Sequence, residues 1–332
     1  MQELTVKVNK FERSYLLDIA IICQNDLVGD QRRELFRRWL SPPDPSINHN
    51  IARKAHHGGT ATWFTRGHIM KVWKSTGSLL WIHGLRSYIP FVSFTIAYSI
   101  FNGQLDREKV CFGMSPQVVL YSFTSALTLS ISSTIVDEVR DVCQTGLATF
   151  AFFYFDFRDA AKQDVRSLLS SLLVQLSNRS DNFSLILSEF FSDHDRGSRQ
   201  PSEDALMGCL KDMLTLPGQG EIYIVVDALD ECPNSSGYPT QREEVLRVIQ
   251  GLVDLRFPHV HFCLMSRPEV DIRDALKPLA DHNVSLHDQA GQNQDISDYI
   301  KFVVHSDPKM RRWRDADKEL VIKTLTEKAG GM

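Results

Sequence analysis

The sequence predicts an α/β fold, a doubly wound and mostly parallel sheet carrying an N-terminal helical and linker extension. Three observations predict it. From Ser133 onward, segments with apolar residues at helical spacing alternate with short apolar runs, the rhythm of βα units. Those runs, ATFAFFYFDF at 148–157, EIYIVVD at 221–227 and HVHFCLMS at 259–266, are almost continuously apolar, as strands covered by helices on both faces must be. The second run ends in Asp227, and open α/β sheets bind ligands beyond the carboxyl ends of their strands.

Taken in order, residues 11–40 hold apolar positions at helical spacing, and in the basic segment QRRELFRRWL the residues Leu35, Phe36, Trp39 and Leu40 form one face. That helix stops at Pro42, Pro43 and Pro45, which lack amide donors and push their neighbours out of the helical region. A Gly-, His- and Trp-rich linker follows, to residue 76. Ser78 to Gly84 then reads as the first strand. Beyond the segment 85–132, helix 133–144 leads into strand 148–157, and Leu168, Leu169, Leu172, Leu173 and Leu176 mark another helical stripe. Helices at 182–191 and 204–214, strand 221–227, helix 242–255, strand 259–266 and helix 271–279 complete the alternation, with a further strand at 283–287. Two more helical patterns, 295–306 and 317–330, close the chain, and its ending reads as a cut. The organisation expected is an N-terminal segment and linker over 1–76 and one α/β domain over 77–332, interrupted by an atypical insert at 85–132 and truncated at its C-terminus.

Composition narrows the function. A chain of 332 residues with 43% hydrophobic content can bury a large core without staples. With 37 basic against 41 acidic residues it has no global positive field, so nucleic acid is not an expected partner. Cys23, Cys111, Cys143, Cys209, Cys232 and Cys263 are far apart and form no C-x-x-C pair, which fits a reducing cytoplasm better than a disulfide framework or a zinc site. The charged N-terminus, without a small-residue cleavage site, does not read as a signal peptide.

The strongest chemical signal is IYIVVDALDECP. Five apolar residues drive a buried strand, and Asp227 at its carboxyl end is placed to hold a hydrated Mg²⁺. Asp230 and Glu231 follow one short turn on, where a carboxylate can orient or deprotonate water. The alternative is a strand that simply ends in an acidic turn.

The pattern hhhhD-A-L-D-E resembles the Walker B strand of NACHT proteins of the STAND class, P-loop NTPases of the NLR-like kind. WLSPPDPSINHNIARKAHHGGTATWF, KSTGSLLWIHG and FAFFYFDFRDAAKQDVRSLLSSLLVQL also resemble the fungal members of that family, so the resemblance covers roughly three quarters of the chain. It implies a nucleotide-governed signalling switch, cytoplasmic, with protein partners and oligomerisation, using Mg²⁺ with ATP or GTP. It implies Asp227 as the Mg²⁺ residue, Asp230 or Glu231 for water activation, and Gly84 as the entry to the phosphate loop. Arg267, in LMSRP, resembles the family's sensor arginine, whose planar fork suits a terminal phosphate; a surface ion pair at a strand end is the alternative.

The departure from the family is as informative. Gly84 is followed by LRSYIPFVSFTIAYSIF where G-x-x-x-x-G-K-[ST] is expected, and not one of the 18 glycines precedes a lysine. The missing parts are a nest of backbone amides, a lysine on the outer phosphates and a hydroxyl on Mg²⁺. Each charge-assisted hydrogen bond contributes about 1.5–3 kcal/mol, whereas micromolar affinity amounts to about 8 kcal/mol, so losing three removes most of it. Mg²⁺ with ATP or GTP belongs to intact relatives; in this chain the expectation is of no bound cofactor and no nucleotide hydrolysis. Three readings of 85–132 stand: a stretch foreign to the fold, such as translated non-coding sequence; a genuine insertion; or a membrane hairpin. Ser87 to Leu105 and Val110 to Val136 carry no charge, but Pro90, Pro116 and many hydroxyls argue against insertion, so a membrane is not expected.

Other constellations carry less. His56 and His57 are adjacent loop residues, not a spaced ligand pair, and no H-E-x-x-H occurs. Cys232 has no histidine near it in sequence and reads as a small turn residue; Trp63, Trp73 and Trp81 read as packing residues because no basic track runs through them. A non-catalytic interaction scaffold is the rival to the switch.

Overall fold

Period-two side-chain alternation builds this fold, because each strand is wide enough in apolar character to feed two cores at once. The computed structural model describes residues 29–55, 61–84, 131–144, 146–234, 237–286, 297–298, 300–302, 304–306 and 313–329. Of the segment read as an insert, 85–132, residues 85–130 lie outside the described residues, as do residues 11–28 and the histidine pair His56–His57, whereas residues 131 and 132 are described and belong to a helix. Strands β1 (Leu79–His83), β2 (Ala148–Tyr154), β3 (Glu221–Asp227), β4 (Val260–Ser266) and β5 (His282–Ser285) form one sheet in the order β2-β3-β4-β1-β5. Every pairing is parallel, with Leu79 opposite Phe262, Leu80 opposite His282, Ala148 opposite Glu221 and Ile222 opposite Val260. The expected doubly wound, all-covered sheet is therefore what the chain forms.

Leu79, Trp81, Ala151, Phe153, Ile222, Ile224, Val226, Phe262 and Leu264 face one side of the sheet. Against them pack α1 (29–40), α6 (Val165–Ser177), α7 (Asp181–Asp193), α8 (Glu203–Thr215), α9 (Gln241–Val253) and α10 (Val270–Leu276). The alternate residues Leu80, Ile82, Phe150, Phe152, Tyr154, Tyr223, Val225, Cys263 and Met265 face the other side and meet α4 (His68–Ser75) and α5 (131–143). The helices begin where the sequence supplies caps. Asp164 accepts from Ser167 N at α6, Ser202 from Ala205 N at α8, and Thr240 with Glu243 forms a reciprocal capping box at α9.

Two details of the extension differ from expectation. Within the stretch read as a linker, the described residues form α2 (Ser46–Ala55), α3 (Thr62–Thr65) and α4. The prolines end α1, with Ser41 at φ 45°, and α2 starts afresh once Ser46 N donates to Asp44 Oδ1 at 2.9 Å. Within α1, Phe36, Trp39 and Leu40 are buried, but Leu35 is 49% exposed. Leu35 sits one position away from Phe36, about 100° around the helix, and falls off the packing stripe. Trp39 is anchored by its indole N–H on the Arg199 carbonyl at 3.0 Å and by rings of Phe190, Phe191 and His194. Trp73 and Trp81 are fully buried, as packing residues should be.

The strand β2 is a sheet edge, and α6 closes it. Gln175 accepts from Phe152 N at 3.1 Å and donates to Phe152 O at 2.7 Å, so one side-chain amide stands in for a missing strand. Among the described residues no helix is long and apolar enough to cross a membrane.

Candidate functional site

The connection from β1 runs to the far edge at β2, the chain steps back through β3 to β4, and the next connection passes beyond β1 to β5. Connections that reverse direction in this way open a crevice at the carboxyl ends of the strands. At that edge the sheet collects the end of β1 at Gly84, the end of β2 at Asp156, the end of β3 at Asp227 and the end of β4 at Arg267. Four positions scattered over 180 residues of sequence thus share one rim. A Cβ on Gly84 would lie 2.6 Å from Leu286 Cβ, so only glycine lets β1 leave the sheet beside the end of β5.

Asp227 is 3% exposed. Burial raises its carboxyl from 3.8 to about 7; hydrogen bonds from Ser132 and from Ala228 N oppose the rise, and the charges of Asp230 and Glu231 add to it. The amide of Ala228 donates to Asp227 Oδ1 at 2.7 Å. Ala228 itself is left-handed, φ 56° and ψ 39°, a conformation costing about 1–2 kcal/mol for a residue with a Cβ. It turns the chain sharply out of β3 into the 3₁₀ turn Leu229–Glu231 and so lays the backbone amide over the carboxylate.

The other two acidic residues have fixed partners. Asp230 Oδ1 accepts from Arg267 N at 2.8 Å, and its Oδ2 lies 3.3 Å from Arg267 Nε, which joins the ends of β3 and β4. The Arg267 side chain is 46% exposed. Glu231 Oε2 accepts from Phe157 N at 3.2 Å, joining β3 to the loop after β2, and burial raises its carboxyl. Beneath the turn, the buried Arg242 donates to the Cys232 carbonyl at 2.9 Å and to the Asp230 carbonyl at 2.5 Å, and pairs with Glu269 and Asp271. The thiol of Cys232 is pushed up to about 12 by burial and donates to Gln163 O at 3.0 Å, the behaviour of an inert packing residue.

Sequence reasoning missed the groups that reach the rim from elsewhere. Ser132, at the start of α5, is fully buried and hydrogen-bonds both the Asp227 carboxyl and the Tyr154 hydroxyl. The Tyr154 hydroxyl lies 3.3 Å from His49 Nδ1, and His49 Nε2 lies 3.3 Å from Asp137 Oδ1. Burial lowers His49, with Asp137 pulling the other way. Asn48, next along α2, donates to Asp156 Oδ2 at 2.9 Å and accepts from the buried Lys162 ammonium at 2.5 Å. Asp156 is also held by three donors of Arg158, whose hydrogen bonds bring its carboxyl down to about 2 against the opposing effect of burial. The one available signal was FDFRD, where an acid sits amid aromatic residues at a strand end.

For Mg²⁺ with ATP or GTP, the described residues fit half a site. Asp227 and the Ser132 hydroxyl form one acid–hydroxyl pair at the end of β3, and Mg²⁺ commonly binds through one or two carboxylates while keeping its waters. Among the described residues no group of three or more His, Cys, Asp or Glu side chains could hold a metal. The amide nest and lysine that grip phosphates have no counterpart in the sequence after Gly84.

Comparison with known proteins follows the same geography. No curated protein matches the chain. Residues 129–267 match the family described as nephrocystin 3, N-terminal. The match opens four residues before Ser133, inside the stretch read as an insert, and ends on Arg267, so it spans α5, Ser132, Asp227, Asp230 and Glu231. Over this stretch, less than half of its length, the chain is similar to the nephrocystin 3 N-terminal region.

Proposed function

We propose that the chain is the core of a NACHT-type nucleotide-binding signalling protein, a STAND-class switch deficient in nucleotide binding and hydrolysis. The observation that carries this reading is the rim itself. Asp227 ends β3, the part-exposed Arg267 ends β4, and Gly84 ends β1 on the same edge of an all-parallel sheet. The similarity over 129–267 supports it. In this reading Asp227 is the metal residue, Asp230 or Glu231 orients water, Arg267 meets the terminal phosphate, and Mg²⁺ supplies charge neutralisation when a nucleotide is bound. The cytoplasm is its compartment and proteins are its partners. The deficiency follows from the absent G-K-[ST], because Asp227 and one hydroxyl supply too few charged contacts to hold a nucleotide.

The purified protein is expected to show no Mg²⁺-dependent ATP or GTP turnover above an Asp227→Ala control, and a clear difference between the two refutes the deficiency. A second reading, a non-catalytic scaffold that binds protein partners without nucleotide, is favoured by one observation: both Asp230 oxygens are engaged by Arg267. Thermal unfolding with and without Mg²⁺-ATP shows whether a nucleotide site remains at all. A ligand bound only by the folded state must raise the midpoint, so a rise marks a residual nucleotide site and counts against the scaffold.

A further inference from the structure

At the opposite, amino-terminal end of the sheet lies a polar arrangement with no part in the rim. His261 on β4 is 1% exposed. Its Nδ1 is 2.8 Å from the Trp73 carbonyl in the last turn of α4, and its Nε2 is 2.7 Å from Glu221 Oε2 at the start of β3. Both neighbours are acceptors. A neutral imidazole has one N–H, so it would set a lone pair against an oxygen lone pair at one of these two distances; an imidazolium donates to both. The rings around it suit a cation. Tyr223 stacks on His261 with centroids 4.5 Å apart and 19° between planes, presenting a ring face to it, and Trp73 lies 5.9 Å away at 80°. A helix C-terminus, where the Trp73 carbonyl lies, also favours positive charge.

We propose that His261 is a pH-sensitive fastener of α4 to the sheet: doubly protonated, it bridges the Trp73 carbonyl to the Glu221 carboxylate, and losing one proton breaks one of the two bridges.

The charged and titratable groups around it are few. From β3 come Glu221 and Tyr223, whose phenol is raised to about 12 by burial. From α4 comes Lys74, whose carbonyl accepts from the Tyr223 hydroxyl at 3.3 Å while its ammonium turns away to Glu138 of α5 at 2.6 Å. From α5 comes Cys143, raised to about 11 by burial. His259, two residues before His261, is spent on the Leu214 carbonyl at 3.0 Å. Glu221 is therefore the single carboxylate in contact with the ring among the described residues, and the Trp73 indole, which donates to the Phe262 carbonyl at 3.0 Å, stays docked in either state. What loosens is the C-terminal turn of α4, the last turn before β1. Because α4 leads the chain into β1, the fastener makes the anchoring of that turn depend on pH.

Amide hydrogen exchange of residues 68–77 in the intact chain, corrected for the intrinsic pH dependence of exchange, tests this across the titration of the ring. Protection is expected to fall roughly tenfold, the equivalent of one charge-assisted hydrogen bond, as the ring loses its proton. In His261→Gln the step should vanish, and in Glu221→Gln it should shrink. Equal protection on both sides of the titration, or an undiminished step in His261→Gln, overturns the proposal. Should the variants fail to fold, ¹⁵N NMR of the wild-type ring decides: two protonated nitrogens at the acid end and one at the alkaline end are expected, and a single protonated nitrogen throughout overturns it.

Discussion

Replacing Asp227 by asparagine should make the protein more stable at pH 8 and leave it little changed at pH 4. The carboxyl is raised from 3.8 to about 7, chiefly by burial, so folding favours its protonated form. The sign follows from proton binding. Below pH 3.8 both folded and unfolded chains hold the proton, and the folded state is at full advantage. Between 3.8 and about 7 the unfolded chain has released it and the folded chain has not, so stability falls as pH rises. Above 7 the loss is complete, about 4 kcal/mol at 1.36 kcal/mol for each tenfold change. Asparagine is isosteric, still accepts from the Ala228 amide, and never ionises. Thermal midpoints of wild type and Asp227→Asn, measured at pH 4, 6 and 8 without Mg²⁺, should therefore diverge with rising pH. At about 2 °C per kcal/mol for a chain of this size, the variant leads by roughly 8 °C at pH 8. A difference that stays constant with pH, or a variant that is the weaker at pH 8, refutes the argument that Asp227 is held against its charge.

Two further outcomes follow from the packing around the rim. Arg242→Ala strips the Cys232 and Asp230 carbonyls and the Glu269 carboxylate of a buried donor, and should cost about 3–5 kcal/mol in guanidinium unfolding. Gln175→Leu removes the amide that closes the β2 edge at Phe152; it should cost about 1–3 kcal/mol and introduce concentration-dependent association in sedimentation velocity.

The fold was legible wherever the pattern was local. The runs at 148–157, 221–227 and 259–266 announce strands because each is apolar on both faces, and the helical stripes between them could belong to no other layer. The acidic turn at 227–231 was visible for the same reason, and Asp227 and Arg267 do share an edge. Strand order was not legible, since nothing in β1 or β4 says that they pair. Nor were the polar partners. Asn48 and Asp156 stand 108 residues apart in sequence, His49 and Tyr154 105, and no local pattern marks Asn48 or His49 as a partner. The helices of 46–76 were hidden by glycines and histidines with poor helical propensity, which burial of Ala52, Met70 and Trp73 overrides. Asp230 and Glu231 illustrate a different limit: sequence marks them as acids at a strand end, while only geometry reveals that Arg267 and Phe157 already hold them.

The place of β1 in the sheet has a consequence for how the chain is made. It lies between β4 and β5, with Leu79 opposite Phe262 and Leu80 opposite His282. During synthesis β1 emerges first and waits through nearly two hundred residues for either neighbour. Meanwhile β2, β3 and β4 can assemble stepwise, each beside the one before it. Such long-range closure is slow, and an apolar strand left unpaired is exposed to aggregation until it occurs. Within the extension, α4, whose Trp73 bonds Phe262 and His261 of β4, therefore takes its final position only after β4 has emerged.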